Sequence, residues 1–153
     1  MLQGIFETHL NVSNLERSMQ FYEDVLGLEL GLKDEERRAA FYWVGGHNQA
    51  MLGLWEKEPA EIFRQHFAFQ IALDKMDEAA DSLRSKGLQL RNFLNDGTDQ
   101  PMVFGWMPAL AIYFSDPDNH SLEFIAPLPG EPRPEAGVVS WAVWERGSSK
   151  KNR

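Results

Sequence analysis

The segment from residue 5 to 12 alternates between apolar and polar residues. Phe6, Leu10 and Val12 fall on one face of the pattern, and Glu7, His9 and Asn11 fall on the other. This period of two is typical of a strand with one buried face. Since side chains two residues apart in a strand project to the same side, we expect Glu7 and His9 to share the face that does not meet the core.

A helix is predicted after this strand. Ser13 and Asn14 are suitable first residues, Glu16 stands three positions after Ser13 in a capping-box arrangement, and Gly27 is a natural end. Runs with strand character follow, separated by glycine-rich turns. The predicted strands of this half are 28–32, 39–44 and 51–55.

The second half of the chain repeats this order. An alternating segment at 66–73 is followed by a helical pattern that ends at Gly87. The segment 95–108 contains glycine and proline and is predicted to be a loop. Further strands are predicted at 88–94, 110–114 and 122–126. A strand, a helix and three strands therefore occur twice, which indicates an α+β fold with an internal duplication of topology.

The composition changes after Pro127. Four prolines between residues 127 and 134 rule out a central strand there. Residues 138–144 form a short apolar run that predicts one extra strand, either packed on its own chain or meeting a second subunit. We favour packing on its own chain.

Composition restricts the class of protein. The chain has 153 residues, enough for one domain with a core of its own, and it has no cysteine, so neither disulfides nor thiolate metal sites are available. A net charge of -8 argues against nucleic-acid binding. No apolar run is long enough for a membrane helix, and the first residues lack the pattern of a signal peptide, so we expect a cytoplasmic protein.

Two segments resemble a known family. One is HLNVSNLERS from His9 to Ser18 with FYEDVLGL from Phe21 to Leu28, and the other is YFSDPDNHSLEF from Tyr113 to Phe124. They resemble the first strand and helix, and the last hairpin, of the glyoxalase/bleomycin-resistance/dioxygenase superfamily, also called the vicinal-oxygen-chelate superfamily. The resemblance covers roughly residues 4–127.

This resemblance implies two βαβββ modules, at about 4–57 and 64–127, whose eight strands form a half-open barrel around a cleft. The segment 128–153 is then a C-terminal extension. The resemblance also implies one divalent metal ion, a small-molecule substrate or drug as partner, and a homodimer. It implies neither nucleic acid nor membrane as a partner.

The metal ligands of the family are carried over by position. His66 begins the first strand of the second module, and Glu123 lies on the strand after the Asp-Pro-Asp turn, so both match ligand positions. On the first strand, Glu7 lies 20 residues before Gly27 and His66 lies 21 before Gly87, whereas His9 lies 18 before Gly27. This register favours Glu7 as the counterpart of His66. His9 shares its face and remains a second candidate, as a ligand, a hydrogen-bond partner of Glu7 or a proton-transfer group.

A fourth ligand of the family comes from the fourth strand, where this sequence has Gly53. A site with three ligands resembles the fosfomycin-modifying transferases or the extradiol dioxygenases more than glyoxalase I. Imidazole and carboxylate accept Zn, Mn, Fe or Ni, and the metal acts as a Lewis acid towards two vicinal oxygens of the substrate. Each of these residues also has a simpler interpretation, with His66 as a structural histidine and Glu123 as exposed on an edge strand.

Aromatic residues surround the predicted cleft. Trp55, Phe104 and Trp106 are candidates for a ligand pocket, with the last two on a loop suited to stacking on a flat molecule. Tyr113 is a candidate acid or base. Ordinary core packing is the alternative for all four.

Two functions from different classes remain. The first is a metal-dependent enzyme of the superfamily that uses Glu7 or His9 together with His66 and Glu123. The second is a metal-free protein of the bleomycin-resistance type, which binds a cationic drug in an aromatic cleft.

Overall fold

A computed structural model describes residues 1–149, with side chains through residue 147. Residues 150–153, the end of the predicted C-terminal extension, lie outside the described residues. Two compact units make up the fold: the first comprises Met1–Gln65 with Asp116–His120, and the second comprises His66–Ser115 with the chain from Ser121 onward. Each unit holds one mixed sheet, and the α+β class is confirmed.

The first unit has four strands in the order β1-β4-β3-β2. β1 and β4 are parallel, and the other two pairs are antiparallel. A π-helical turn at Phe21–Val25 continues α1, and Gly27 follows with a positive φ of 69°. The elements are β1 (Glu7–Val12), α1 (Leu15–Gln20), β2 (Glu29–Asp34), β3 (Ala39–Val44) and β4 (Ala50–Glu56).

The cap of α1 differs from the predicted capping box. Asn14 is the residue before the helix, and its side-chain oxygen accepts a hydrogen bond from a backbone N–H of the first turn. Ser13 instead donates its hydroxyl proton to Asp118, and Glu16 pairs with Arg38. Both members of the predicted box are thus engaged by residues distant in sequence, which a local pattern does not reveal.

The second unit has five strands in the order β5-β8-β7-β6-β9. β5 and β8 are parallel, as β1 and β4 are, and the remaining pairs are antiparallel. The order of the first four strands therefore matches that of the first unit and confirms the duplicated plan. The elements are β5 (His66–Gln70), α2 (Met76–Ser85), β6 (Met102–Phe104), β7 (Ala109–Ser115), β8 (Ser121–Pro127), β9 (Val138–Ser140) and α3 (Trp141–Ser149).

The chain between α2 and β7 was predicted incorrectly. The segment 88–94 is not a strand; it forms one isolated bridge, between Arg91 and Tyr113. The buried side chain of Asn92 donates to Asp96 and Thr98 and holds the backbone in a local loop. The strand of this region is β6, which lies inside the segment predicted to be a loop.

The predicted strand at 138–144 is shorter than expected. Only β9 is extended, and it pairs with β6 of the same chain before the helix α3 begins at Trp141. Trp141 and Trp144 stand one helical turn apart and pack against the same core cluster. The guanidinium of Arg133 lies over the Trp144 ring at 3.4 Å and donates to the Trp144 carbonyl, which fixes the helix to the preceding loop.

The two faces of the sheet in the second unit pack into separate clusters. On β7, Leu110 and Ile112 join Met76 of α2 in the main core cluster. Ala111 and Tyr113 form a separate cluster with Phe104. The face that bears Tyr113 is therefore the one turned away from α2.

No helix in the described part of the chain is long and apolar enough to cross a membrane.

Candidate metal centre

His66 and Glu123 meet on neighbouring strands of the second unit. The parallel pairing of β5 with β8 sets His66 beside Ser121 and Ala68 beside Glu123. His66 Nε2 lies 3.2 Å from Glu123 Oε2, and His66 Nδ1 lies 2.9 Å from the Ser121 carbonyl oxygen. The two residues that the sequence predicted to be ligands on these strands are therefore adjacent.

A hydrogen bond to the backbone fixes the tautomer of His66 in this pair. A carbonyl oxygen only accepts, so His66 Nδ1 carries the proton and, in a neutral ring, Nε2 presents its lone pair to Glu123. Glu123 is 4% exposed, and its Oε1 has no hydrogen-bond partner. Burial raises the pKa of the Glu123 carboxyl, against the opposing effects of His66 and Tyr113. Two lone pairs face each other across 3.2 Å, an arrangement that calls for a proton or a cation between them.

Tyr113 and Arg91 complete the surroundings of Glu123. Tyr113 lies directly opposite Glu123 in the β7–β8 pair, and its hydroxyl donates to the carboxylate. Burial and the negative charge of Glu123 raise the pKa of Tyr113, so the phenol keeps its proton. The Arg91 guanidinium lies 4.9 Å from the centre of the Tyr113 ring and donates to Ser121 Oγ. Sequence reasoning missed Arg91, since it lies in the segment wrongly predicted to be a strand.

Glu7 and His9 form a second pair, on β1 of the first unit. His9 Nε2 donates to Glu7 Oε1 at 2.8 Å, and both side chains are nearly half exposed. The His9 ring lies 6.0 Å from the ring of Phe41 and 5.7 Å from that of Trp55. Because both members of the pair share one face, as predicted, the structure does not choose between them as a ligand.

The four predicted ligands therefore stand as two pairs, one in each unit. Among the described residues, no three histidine, aspartate or glutamate side chains are grouped closely enough to hold a metal ion. The joint metal site remains a prediction. The two other histidines have different surroundings: His47 is exposed beside Trp43, and His120 is fully buried, with Nε2 donating to the Asn11 carbonyl.

The predicted pocket aromatics differ in exposure. Phe104 is 6% exposed and belongs to the core cluster with Tyr113, so packing accounts for it. Trp55 is half-buried, contacts His9 and Phe41, and has an indole N–H without a partner. Trp106 is 62% exposed and is available for stacking.

One cavity of the second unit lies on the other face of its sheet. It has a volume of about 530 Å³ and is lined by residues of α2, β7, β9 and α3, among them Met76, Leu110 and Trp141. Met76 and Leu110 belong to the cluster on the α2 side. The cavity is therefore separate from the face that bears Tyr113.

Comparison with known proteins gives consistent matches. A sequence profile of the Glyoxalase/Bleomycin resistance protein/Dioxygenase superfamily matches residues 4–124. Metallothiol transferase FosB of Lysinibacillus sphaericus (strain C3-41) is 32% identical over 132 residues, 80% of this chain and 82% of that protein. Lactoylglutathione lyase of Neisseria meningitidis serogroup A is 27% identical over 135 residues, 83% of this chain and 93% of that protein. The crystal structure of an integron cassette protein from the mobile metagenome of the Halifax Harbour sewage outfall is 38% identical, with a TM-score of 0.70, and the match covers 82% of this chain and 99% of that one.

Proposed function

The chain belongs to the Glyoxalase/Bleomycin resistance protein/Dioxygenase superfamily, and we propose that it is a divalent-metal-dependent enzyme acting on a small molecule with two vicinal oxygens. The relatives of this chain include proteins named as a metallothiol transferase and as a lactoylglutathione lyase. Since one scaffold carries several reactions, the site residues have to support the proposal.

The His66–Glu123 pair is the observation that carries it. A neutral imidazole nitrogen and a carboxylate are donors that Zn, Mn, Fe and Ni accept. The orphaned Glu123 Oε1 is a further donor atom, and a buried carboxylate oxygen without a partner costs about 1–3 kcal/mol. A cation at this pair would remove that cost and the repulsion between the facing lone pairs. The residues present therefore fit a divalent metal.

The first-strand pair is the proposed source of the remaining ligand. Glu7 offers a carboxylate, and His9 donates its Nε2 proton to that carboxylate, as outer partners of metal ligands do. In this arrangement the neutral His9 ring keeps a lone pair at Nδ1 and is available to accept a proton. We propose Glu7 as the ligand and His9 as the proton-transfer group, with the reverse assignment as the alternative.

The other residues supply orientation and charge. A bound divalent metal acts as a Lewis acid that stabilises negative charge developing on a chelated oxygen. Tyr113 holds its proton at the phenolic oxygen and orients the Glu123 carboxylate. The Ser121 carbonyl fixes the tautomer of His66, and Arg91 contributes positive charge beside Tyr113. Trp106 is proposed to stack on the bound molecule.

Metal binding by purified, untagged protein tests the proposal. We expect about one transition metal per chain by plasma mass spectrometry, and a calorimetric affinity for Mn²⁺ or Zn²⁺ that falls at least tenfold in His66→Ala. His47→Ala, in the exposed turn, is the matched control and keeps wild-type affinity. Full occupancy in His66→Ala, or no metal in the wild type after reconstitution, would contradict the proposal. The solution mass measured on the same sample tests the expected homodimer.

A metal-free drug-binding protein is the second candidate. The exposed Trp106, together with the net negative charge of the chain, favours a flat cationic ligand. Binding of this kind survives exhaustive chelation and is lost in Trp106→Ala, as followed by tryptophan fluorescence. Binding that disappears on chelation excludes it.

A further inference from the structure

Gly53 lies directly beside His9 in the parallel pairing of β1 with β4. A Cβ atom built at this glycine would lie 2.6 Å from His9 Cδ2 and 3.1 Å from His9 Nε2. It would also lie 3.1 Å from Cε1 of Phe41. The imidazole therefore occupies the space that any other residue at position 53 would fill with its side chain.

We propose that Gly53 is a positioning residue: the missing side chain lets the His9 imidazole lie against the backbone of β4, where its Nε2 donates to Glu7. The inference rests on the proposed function only where it assigns Glu7 and His9 a role in binding metal and moving a proton. The geometric part concerns the pair itself and stands without a metal.

The surroundings of the ring determine how it responds to a side chain at position 53. Phe41 and Trp55 flank the imidazole, so it has no room to shift within the sheet. The His9 side chain is 46% exposed, which leaves rotation towards solvent open. Moving the ring outwards gives up its contacts with Phe41 and Trp55 and its hydrogen bond to Glu7, but it leaves the strands paired. A methyl group at position 53 is therefore expected to displace the imidazole from Glu7 and to leave the sheet folded.

The backbone of Gly53 makes this test interpretable. Its φ lies outside the left-handed region, so alanine adopts the same conformation without strain. Gly31 on β2 provides a matched control, because it is also a strand glycine with a normal φ. A Cβ there meets Trp43 Nε1 at 3.1 Å and the Phe41 carbonyl oxygen at 3.3 Å, away from His9.

The experiment combines Gly53→Ala and His9→Ala, singly and together, with Gly31→Ala as the control. We expect Gly53→Ala to weaken Mn²⁺ or Zn²⁺ binding roughly 10- to 100-fold, the range seen when an outer partner of a metal ligand is lost. His9→Ala should weaken it similarly, and the double variant no further, since both changes remove the same contact. Gly31→Ala should stay within about twofold of the wild type. Equal affinity in Gly53→Ala and the wild type would overturn the inference.

Two measurements without metal separate this inference from the proposed function. In the wild type, a proton NMR cross-peak is expected between the His9 ring and the Gly53 α-protons; its absence would overturn the inference. Gly53→Ala should also lower the melting temperature of the wild type more than that of His9→Ala, because removing the imidazole relieves the collision. Equal effects in both backgrounds would overturn the inference as well. A wild type that binds no metal defeats the proposed function alone, and the metal-free measurements then decide the role of Gly53.

Discussion

Glu123→Gln is expected to make the metal-free protein more stable while abolishing its metal site. The substitution keeps the shape of the side chain and replaces a buried carboxylate by an amide. An N–H group in place of Glu123 Oε2 can donate to His66 Nε2, and an uncharged amide oxygen takes the place of the orphaned Oε1. The facing lone pairs are thereby replaced by a hydrogen bond.

The size of the effect follows from burial. Glu123 is 4% exposed, and one of its oxygens has no partner. Replacing this buried carboxylate by an uncharged amide, and the facing lone pairs by a hydrogen bond, is worth about 1–3 kcal/mol. For a chain of this length each kcal/mol shifts the melting temperature by about 2–4 °C, so we expect a rise of roughly 2–12 °C.

The effect has a defined pH dependence. The pKa of Glu123 is raised above its ordinary value of 4.5, so the folded state binds this proton more tightly than the unfolded chain does. The stability linked to that proton is present at low pH and is lost as the pH rises through the folded-state pKa. The advantage of Glu123→Gln is therefore greatest at pH 7.5 and shrinks towards pH 4.

The assay is thermal unfolding of chelated protein at both pH values, repeated with added metal. Glu29→Gln, an exposed glutamate on β2, is the control and should change neither curve. A metal at 100 times its dissociation constant is expected to stabilise the wild type by about 2.7 kcal/mol and to leave Glu123→Gln unchanged, which offsets the advantage of the variant. A chelated Glu123→Gln protein no more stable than the wild type at pH 7.5 would refute the reasoning about this carboxylate.

Two further predictions concern residues away from the metal centre. Burial raises the pKa of Asp116, which is 5% exposed, above its ordinary value of 3.8, so the stability linked to its proton is lost as the pH rises through the raised pKa, and Asp116→Asn should remove that loss in urea unfolding followed upward from about pH 4. Hydrogen bonds from Thr98 and Asn92 lower the pKa of Asp96, so Asp96→Asn is the control and should leave that loss in place. Trp144→Ala should cost about 3 kcal/mol in the same assay because the ring is 5% exposed, whereas Val143→Ala, 44% exposed, should cost less than about 0.5 kcal/mol. Equal costs for these last two would mean that α3 does not share the core.

Strands with a strong alternating pattern were predicted close to their observed bounds. In β1, Leu10 and Val12 are buried while Glu7 and His9 are exposed, as the period of two predicted, but Phe6 precedes the strand and is exposed. β6 was missed because Met102, Val103 and Phe104 are all buried, so the segment has no alternation to detect. Its pairing with β7 and β9 is a long-range property that no local window contains.

The candidate site was predicted in part. The family motifs identified His66 and Glu123, and the structure sets them 3.2 Å apart. The comparison with the family pattern also indicated that Gly53 stands where other members carry a fourth metal ligand. It did not show that the His9 ring lies in that space, because this depends on the register between β1 and β4. Side-chain contacts across a parallel pair are not encoded in local spacing.

The two pairs of candidate ligands differ most in their access to water, and this difference suggests a division of work. Glu123 is buried, and charge interactions are stronger where the effective dielectric constant is low. A cation would therefore gain most of its electrostatic stabilisation at the His66–Glu123 pair. Glu7 and His9 are nearly half exposed, so screening weakens their attraction for an ion while water and substrate can reach them. Proton transfer requires such access, and a tightly held ligand does not. In the proposed site the buried pair is thus better suited to holding the metal, and His9 of the exposed pair to moving a proton.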